Sequence, residues 1–202
     1  MTRAIELRVL ELMAARLCHD LIGPVSAITN GIELLADDDG EFARDAIALV
    51  GDSGRKAAHR LQFYRFAWGF SGGGLTGPPP HALADDFFRD TAIRCDYGAA
   101  VRQLPADEQQ LACAMLALAG DGLPRGGRLV LGLVAGGPQV EATGEGCGLS
   151  PEAAAALTLA PPAAALTTRT VGAYVAGLVA EARGRRLALE HIAGGFRLAA
   201  AA

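Results

Sequence analysis

The stretch SGGGLTGPPP, residues 71–80, decides how the chain is to be read. Glycines free the backbone and prolines then stiffen it, so no helical or strand pattern can run through it. The patterns on its two sides differ. The chain therefore divides into residues 1–70, a linker at 71–80, and residues 81–202.

Upstream, Leu10, Ala14, Leu17, Leu21, Pro24, Ile28, Gly31 and Leu35 recur at heptad-like spacing and predict one long helix. DDDG at 37–40 predicts a turn. A second helix is predicted over 41–69, with Phe42, Ala46, Leu49, Ser53, Ala57, Leu61, Tyr64 and Trp68 along one face. Two long helices joined by a short polar turn make an antiparallel hairpin. Such a hairpin cannot enclose its own apolar stripes. Pairing with a second copy would, giving a four-helix bundle from two chains.

Downstream, the spacing predicts a helix over 82–91, short strands near 92–96 and 101–104, and a helix over 105–119. Strands at 128–135 and 138–143, helices at 151–157 and 169–183, and strands at 186–192 and 196–200 follow. Arg125-Gly126-Gly127 introduces the third strand, and Gly194-Gly195 supplies the last hairpin turn. The expected fold class is α+β: the helical hairpin, then an α/β sandwich with a mixed sheet on one side and helices on the other.

Composition narrows the function. The 202 residues are 51% apolar, so a large core is possible, although alanine supplies much of that count. A formal net charge of −4 gives no case for nonspecific nucleic-acid binding. Lys56 is the only lysine. Cys18, Cys95, Cys113 and Cys147 form no CxxC pair, which argues against zinc and against a disulfide framework and fits a reducing cytoplasm. The N-terminus lacks the basic region and apolar run of a signal peptide. No segment reaches the roughly 18 uninterrupted apolar residues of a membrane helix; AAAALTLAPPAAAL at 153–166 is broken by Pro161 and Pro162. The expectation is a cytoplasmic protein that binds neither membrane nor nucleic acid.

Within RLCHDLIGPV, residues 16–25, His19 lies two residues past Leu17. At about 100° per residue it faces nearly opposite the apolar stripe. Its own face holds Arg16, Gly23, Ser26 and Asn30, with Ala15 and Ile22 beside it. Pro24 has no N–H to give to the carbonyl of Asp20, and a bend is predicted there. An ordinary surface histidine beside an ordinary kink would read the same way. A Cys18–His19 nucleophilic pair is a poor alternative, because neighbouring helical side chains diverge and no third group supports them.

The pattern His-acidic-Leu-x-x-Pro, here His19 to Pro24, resembles the H-box of histidine kinase dimerisation domains. The longer run LCHDLIGPVSAITNGIELL (17–35), with LQFYRFAWG (61–69) and LPRGG (123–127), is similar to ChpT-type histidine phosphotransferases of bacterial phosphorelays, over nearly the whole chain. The resemblance implies a homodimeric bundle and a C-terminal domain shaped like a histidine kinase ATP-binding domain that has lost its nucleotide. Where a kinase would carry a magnesium-binding asparagine, Ala114 stands, with Leu118 one turn on. Where a kinase reads adenine with an Asp-x-Gly-x-Gly loop, the chain has Ala142-Thr143-Gly144-Glu145-Gly146, without the carboxylate. Of the glycine-rich phosphate contacts, LTTRTVGAY (166–174) keeps only Gly172. No cofactor is expected.

The implied reaction places a phosphoryl group on His19, taken from a receiver-domain aspartate of a hybrid histidine kinase and passed to a response regulator. The receivers supply the magnesium. Asp20 is either a solvated carboxylate or the hydrogen-bond partner of the second ring nitrogen. Folding the hairpin about residues 38–39 brings position 19 level with about 58. Lys56, His59 and Arg60, with Arg16, are thus candidates for neutralising phosphate, or simply a solvated basic patch. Arg16, Ile22, Gly23 and Ser26, with His59 or Gln62, are candidates for receiver docking. Two other readings stay open: a noncatalytic dimeric scaffold or kinase inhibitor, and an ATP-binding sensor kinase fragment, against which Ala114 and Ala142 stand.

Overall fold

The computed structural model describes residues 6–37, 42–69, 77–135 and 137–201. Residues 38–40 of the turn predicted at 37–40, and linker residues 71–76, lie outside them; Asp37 ends α1. Helix α1 spans Leu7–Asp37 and α2 spans Ala43–Trp68. They pair antiparallel, with Asp20 opposite Arg60 and Tyr64 and Gly31 opposite Val50. Small groups line the seam: Gly31, Ala46, Ser53 and Ala57 are all buried. The helices approach closely enough that a Cβ on Gly31 would lie 2.6 Å from a Val50 methyl.

The C-terminal part contains α3 (Pro80–Phe88), β1 (Ile93–Tyr97), α4 (Ala106–Asp121), β2 (Gly127–Val134), β3 (Gly137–Thr143), α5 (Pro151–Leu157), α6 (Val171–Glu181), β4 (Arg186–Ile192) and β5 (Gly195–Ala201). The sheet runs in the order β1-β2-β3-β5-β4. Only the β1–β2 pair is parallel. Inward-facing residues alternate along the strands, as half-buried strands require: Leu129 and Leu131, Val140 and Ala142, Phe196 and Leu198 are all buried. Helix α4 lies against β2 and β3, α2, α3 and α6. That enclosure explains why every residue from Gln109 to Ala119 is buried.

LPRGG builds the entry to the parallel strand. Gly126 and Gly127 both have positive φ, 79° and 146°. A Cβ on Gly126 would lie 2.4 Å from the carbonyl oxygen of Ala92, which accepts the Gly127 N–H. Only glycine fits a backbone that turns and closes on a neighbouring strand in this way.

Two expectations are corrected. Residues 101–104 are not a strand; Val101–Gln103 is a single 3-10 turn. Val101 and Leu104, the residue that follows the turn, are three apart, a spacing that eclipses in a 3-10 turn and does not alternate as a strand must. Gln109 fastens the turn by donating to the carbonyls of Arg102 and Leu104. The single apolar stripe drawn for each hairpin helix is also too simple. Leu10, Phe42, Leu49 and Leu61 are exposed, as stripes left over by a hairpin would be, but Val9, Leu12 and Met13, outside the stripe, are buried. The start of α1 turns a different face to the C-terminal part, whose hydrophobic core takes in Val9, Leu12, Met13, Phe63, Tyr64 and Ala67.

Candidate functional site

His19 projects from α1 with its side chain 87% exposed, whereas that of Asp20 is only 22% exposed. Asp20 Oδ1 lies 3.4 Å from His19 Nδ1. Adjacent helical positions point about 100° apart, so this contact is loose. The other oxygen, Oδ2, accepts a hydrogen bond from the Tyr64 hydroxyl at 2.7 Å. The Tyr64 ring is held in place, stacked on Trp68 at 4.5 Å and edge-on to Phe63 and Phe87. Burial, and then the bond to Asp20, push the phenol far above its ordinary pKa, so the hydroxyl remains a donor.

Arg60 answers the proline. Helix α1 runs on through Pro24, but Pro24 cannot donate to the carbonyl of Asp20. Arg60 Nη1 does so instead, from α2, at 2.7 Å. Backbone and side chain of Asp20 are thus both held by α2, through residues one helical turn apart.

Arg16 has a different task. Its Nη2 donates to both carboxylate oxygens of Asp121, the last residue of α4, at 2.8 and 2.6 Å. Its guanidinium also lies 5.7 Å from the centre of the Trp68 ring. It packs where a side chain on α6 would be: a Cβ on Gly172 would meet Nη1 at 2.7 Å. Burial works against the Arg16 charge, but Asp121 more than offsets it and the pKa lies above the ordinary value. Burial raises the Asp121 carboxyl, with Arg16 opposing.

These contacts leave a cleft of about 730 Å³ between α1 and the C-terminal part. Ala15, Arg16, His19 and Asp20 form one wall. Leu118 and Asp121 from α4, Gly148 to Ser150 and Ala153 at the start of α5, and Thr168 and Arg169 before α6 form the other. Arg169 is exposed and makes no ion pair with another described residue. A larger cavity of about 890 Å³ lies between α5, α6 and β4, away from His19.

Not every expected residue joins His19. Lys56 and His59 line a separate cavity of about 280 Å³ with Asp52, Arg55, Arg89 and Asp90. His59 Nδ1 is buried without a hydrogen-bond partner among the described residues. Ile22, Gly23 and Ser26 are exposed near His19, and a Cβ on Gly23 would meet nothing within 4 Å. Ala114 and Ala142 are buried in the core, 1% and 0% exposed. Among the described residues no group of three or more His, Cys, Asp or Glu could hold a metal, and no helix is long and apolar enough to cross a membrane.

Sequence reasoning missed Tyr64 as a partner of Asp20, Asp121 as a partner of Arg16, and Arg169 as a wall of the cleft. Tyr64 lies inside LQFYRFAWG and Arg169 inside LTTRTVGAY, so both were within view. Nothing in the sequence marks Asp121, which is 105 positions from Arg16.

An exposed histidine on a helical hairpin, with its neighbouring carboxylate anchored from the second helix, suits a phosphoryl-carrying protein. The family described as "Histidine phosphotransferase C-terminal domain" matches residues 80–194, more than half of the chain. The chain belongs to the histidine phosphotransferase family. It is also 37% identical over 125 residues to the protein phosphotransferase ChpT of Brucella abortus (strain 2308); the match spans 60% of this chain and 59% of that protein. A solved structure described as a bacterial phosphotransferase superposes with a TM-score of 0.79 at 29% identity, covering 98% of both chains.

Proposed function

We propose that this protein is the histidine intermediate of a phosphorelay: His19 accepts a phosphoryl group from a receiver-domain aspartate and passes it to the aspartate of a response regulator. The observation that carries this reading is the placement of Asp20 at Nδ1 of an exposed His19. A carboxylate there favours the tautomer protonated on Nδ1 and leaves the Nε2 lone pair free. In the transfer, Nε2 forms the P–N bond as the P–O bond to the donor aspartate breaks, and that electron pair returns to the donor carboxylate. The proton stays on Nδ1. The ring gains positive charge facing Asp20, which stabilises it. The second transfer reverses these changes on another receiver.

Phosphoryl transfer depends mostly on position and charge neutralisation. Arg169, across the cleft from His19 and without an ion pair among the described residues, is available to meet the phosphoryl oxygens. Magnesium comes with the receiver. ATP has no part in the reaction, as the aligned positions Ala114 and Ala142 carry no polar side chain and are buried. The working unit is a homodimer, whose bundle joins the exposed apolar residues of the hairpin. Leu10, Val25 and Ile32 fall within about 60° of one another on α1, and each is at least about 120° round from His19. Dimerisation on that face leaves the histidine accessible.

The experiment is a three-component relay. A radiolabelled phosphorylated receiver is mixed with a second receiver, with and without this protein. Label reaching the second receiver only when the protein is present supports the reading. Equal labelling without it contradicts the reading.

A further inference from the structure

We propose that Tyr64 is a positioning residue for the transfer, acting through Asp20; the inference rests on the phosphotransfer reading of His19. Asp20 on its own is badly placed. It neighbours His19 on α1, where side chains diverge, and only one oxygen reaches Nδ1, at 3.4 Å. A free carboxylate would rotate between water and the imidazole and would set the tautomer only part of the time.

Tyr64 removes that freedom. Its hydroxyl donates to Oδ2 at 2.7 Å, which turns Oδ1 toward His19. The hydroxyl is itself fixed, because the ring is stacked on Trp68 and flanked by Phe63 and Phe87. Arg60 holds the Asp20 backbone at the carbonyl that Pro24 leaves without a donor, so the backbone beneath the carboxylate is anchored as well. An outer partner that orients an inner ligand is typically worth about 10–100-fold where it has been removed from metal sites. Here the oriented group is a carboxylate and the group it serves is the imidazole nucleophile.

Tyr64→Phe keeps the ring stack and deletes only the hydroxyl. The test compares transfer rates from a radiolabelled receiver for the wild-type chain, Tyr64→Phe, Asp20→Ala and the double variant, with His19→Ala as control. Tyr64→Phe is expected to slow transfer about tenfold or more, and to change nothing further in the Asp20→Ala background, because both act as one unit. A wild-type rate in Tyr64→Phe overturns the inference. So does an equal loss in both backgrounds, which marks an independent structural effect. Nitrogen NMR of His19 gives a second readout on the folded protein: the Nδ1–H tautomer in wild type, and a mixture of tautomers in Tyr64→Phe. An unchanged tautomer also overturns the inference. Label retained by His19→Ala would instead overturn the underlying phosphotransfer reading.

Discussion

One nitrogen of Arg16 bonds both carboxylate oxygens of Asp121, at 2.8 and 2.6 Å, and so fastens the middle of α1 to the end of α4. His19 stands one helical turn beyond Arg16. The bridge therefore joins the two walls of the cleft that His19 faces, and Arg16 lines that cleft with its charge paired to Asp121.

Arg16→Ala should loosen the hairpin from the C-terminal part. It leaves Asp121 without its counter-ion, a loss of about 1–3 kcal/mol for a buried polar group. The lower end is expected, because the Asp121 side chain is 39% exposed and water can reach it. Urea unfolding should show the lower midpoint. Amide exchange should quicken at the start of α6, where Gly172 packs on the guanidinium. Unchanged exchange there would remove the bridge from the account.

Leu61→Glu should give a folded monomer. Leu61 is 52% exposed in the single chain, and burying a leucine is worth about 1.5–3 kcal/mol, counted twice across a twofold interface. Light scattering should report a dimer for wild type and a monomer for the variant at micromolar concentration. A wild-type monomer would end the four-helix bundle.

Gly23→Leu separates docking from folding. A glycine inside a helix costs about 1 kcal/mol relative to alanine, and no neighbour among the described residues explains it, since a Cβ there meets nothing within 4 Å. A leucine should leave melting and dimerisation intact and reduce transfer by orders of magnitude, by blocking the receiver. Near-normal transfer would move the docking face elsewhere on the molecule.

Much of this was legible in the chain. The strand at 186–192 and the helix at 151–157 stand at the expected residues, and the Ser150 hydroxyl caps that helix by accepting the Ala153 N–H. The hairpin followed from two long periodic runs. What escaped was tertiary. A helix wheel shows that His19 is exposed, but it cannot show that Tyr64 and Arg60 reach back to Asp20, because that depends on the register between α1 and α2. The estimate that placed 19 level with 58 was only a few residues short. Lys56 and His59 came close in register but point into another cavity. The second apolar face at the start of α1 was invisible because its partners lie far along the chain, beyond a linker that suggested independence.

Calorimetric titration with Mg-ATP should give no heat of binding at sub-millimolar nucleotide. A micromolar dissociation constant would revive the sensor kinase reading despite Ala114 and Ala142.

Whether His19 carries the phosphoryl group is decided by chemical identification of the label. The chain is incubated with a radiolabelled phosphorylated receiver, and the modified residue is located by mass spectrometry. One phosphoryl group per chain is expected, on His19 Nε2, with no label in a folded His19→Ala variant. Label on any other residue, or undiminished label in His19→Ala, would contradict this assignment.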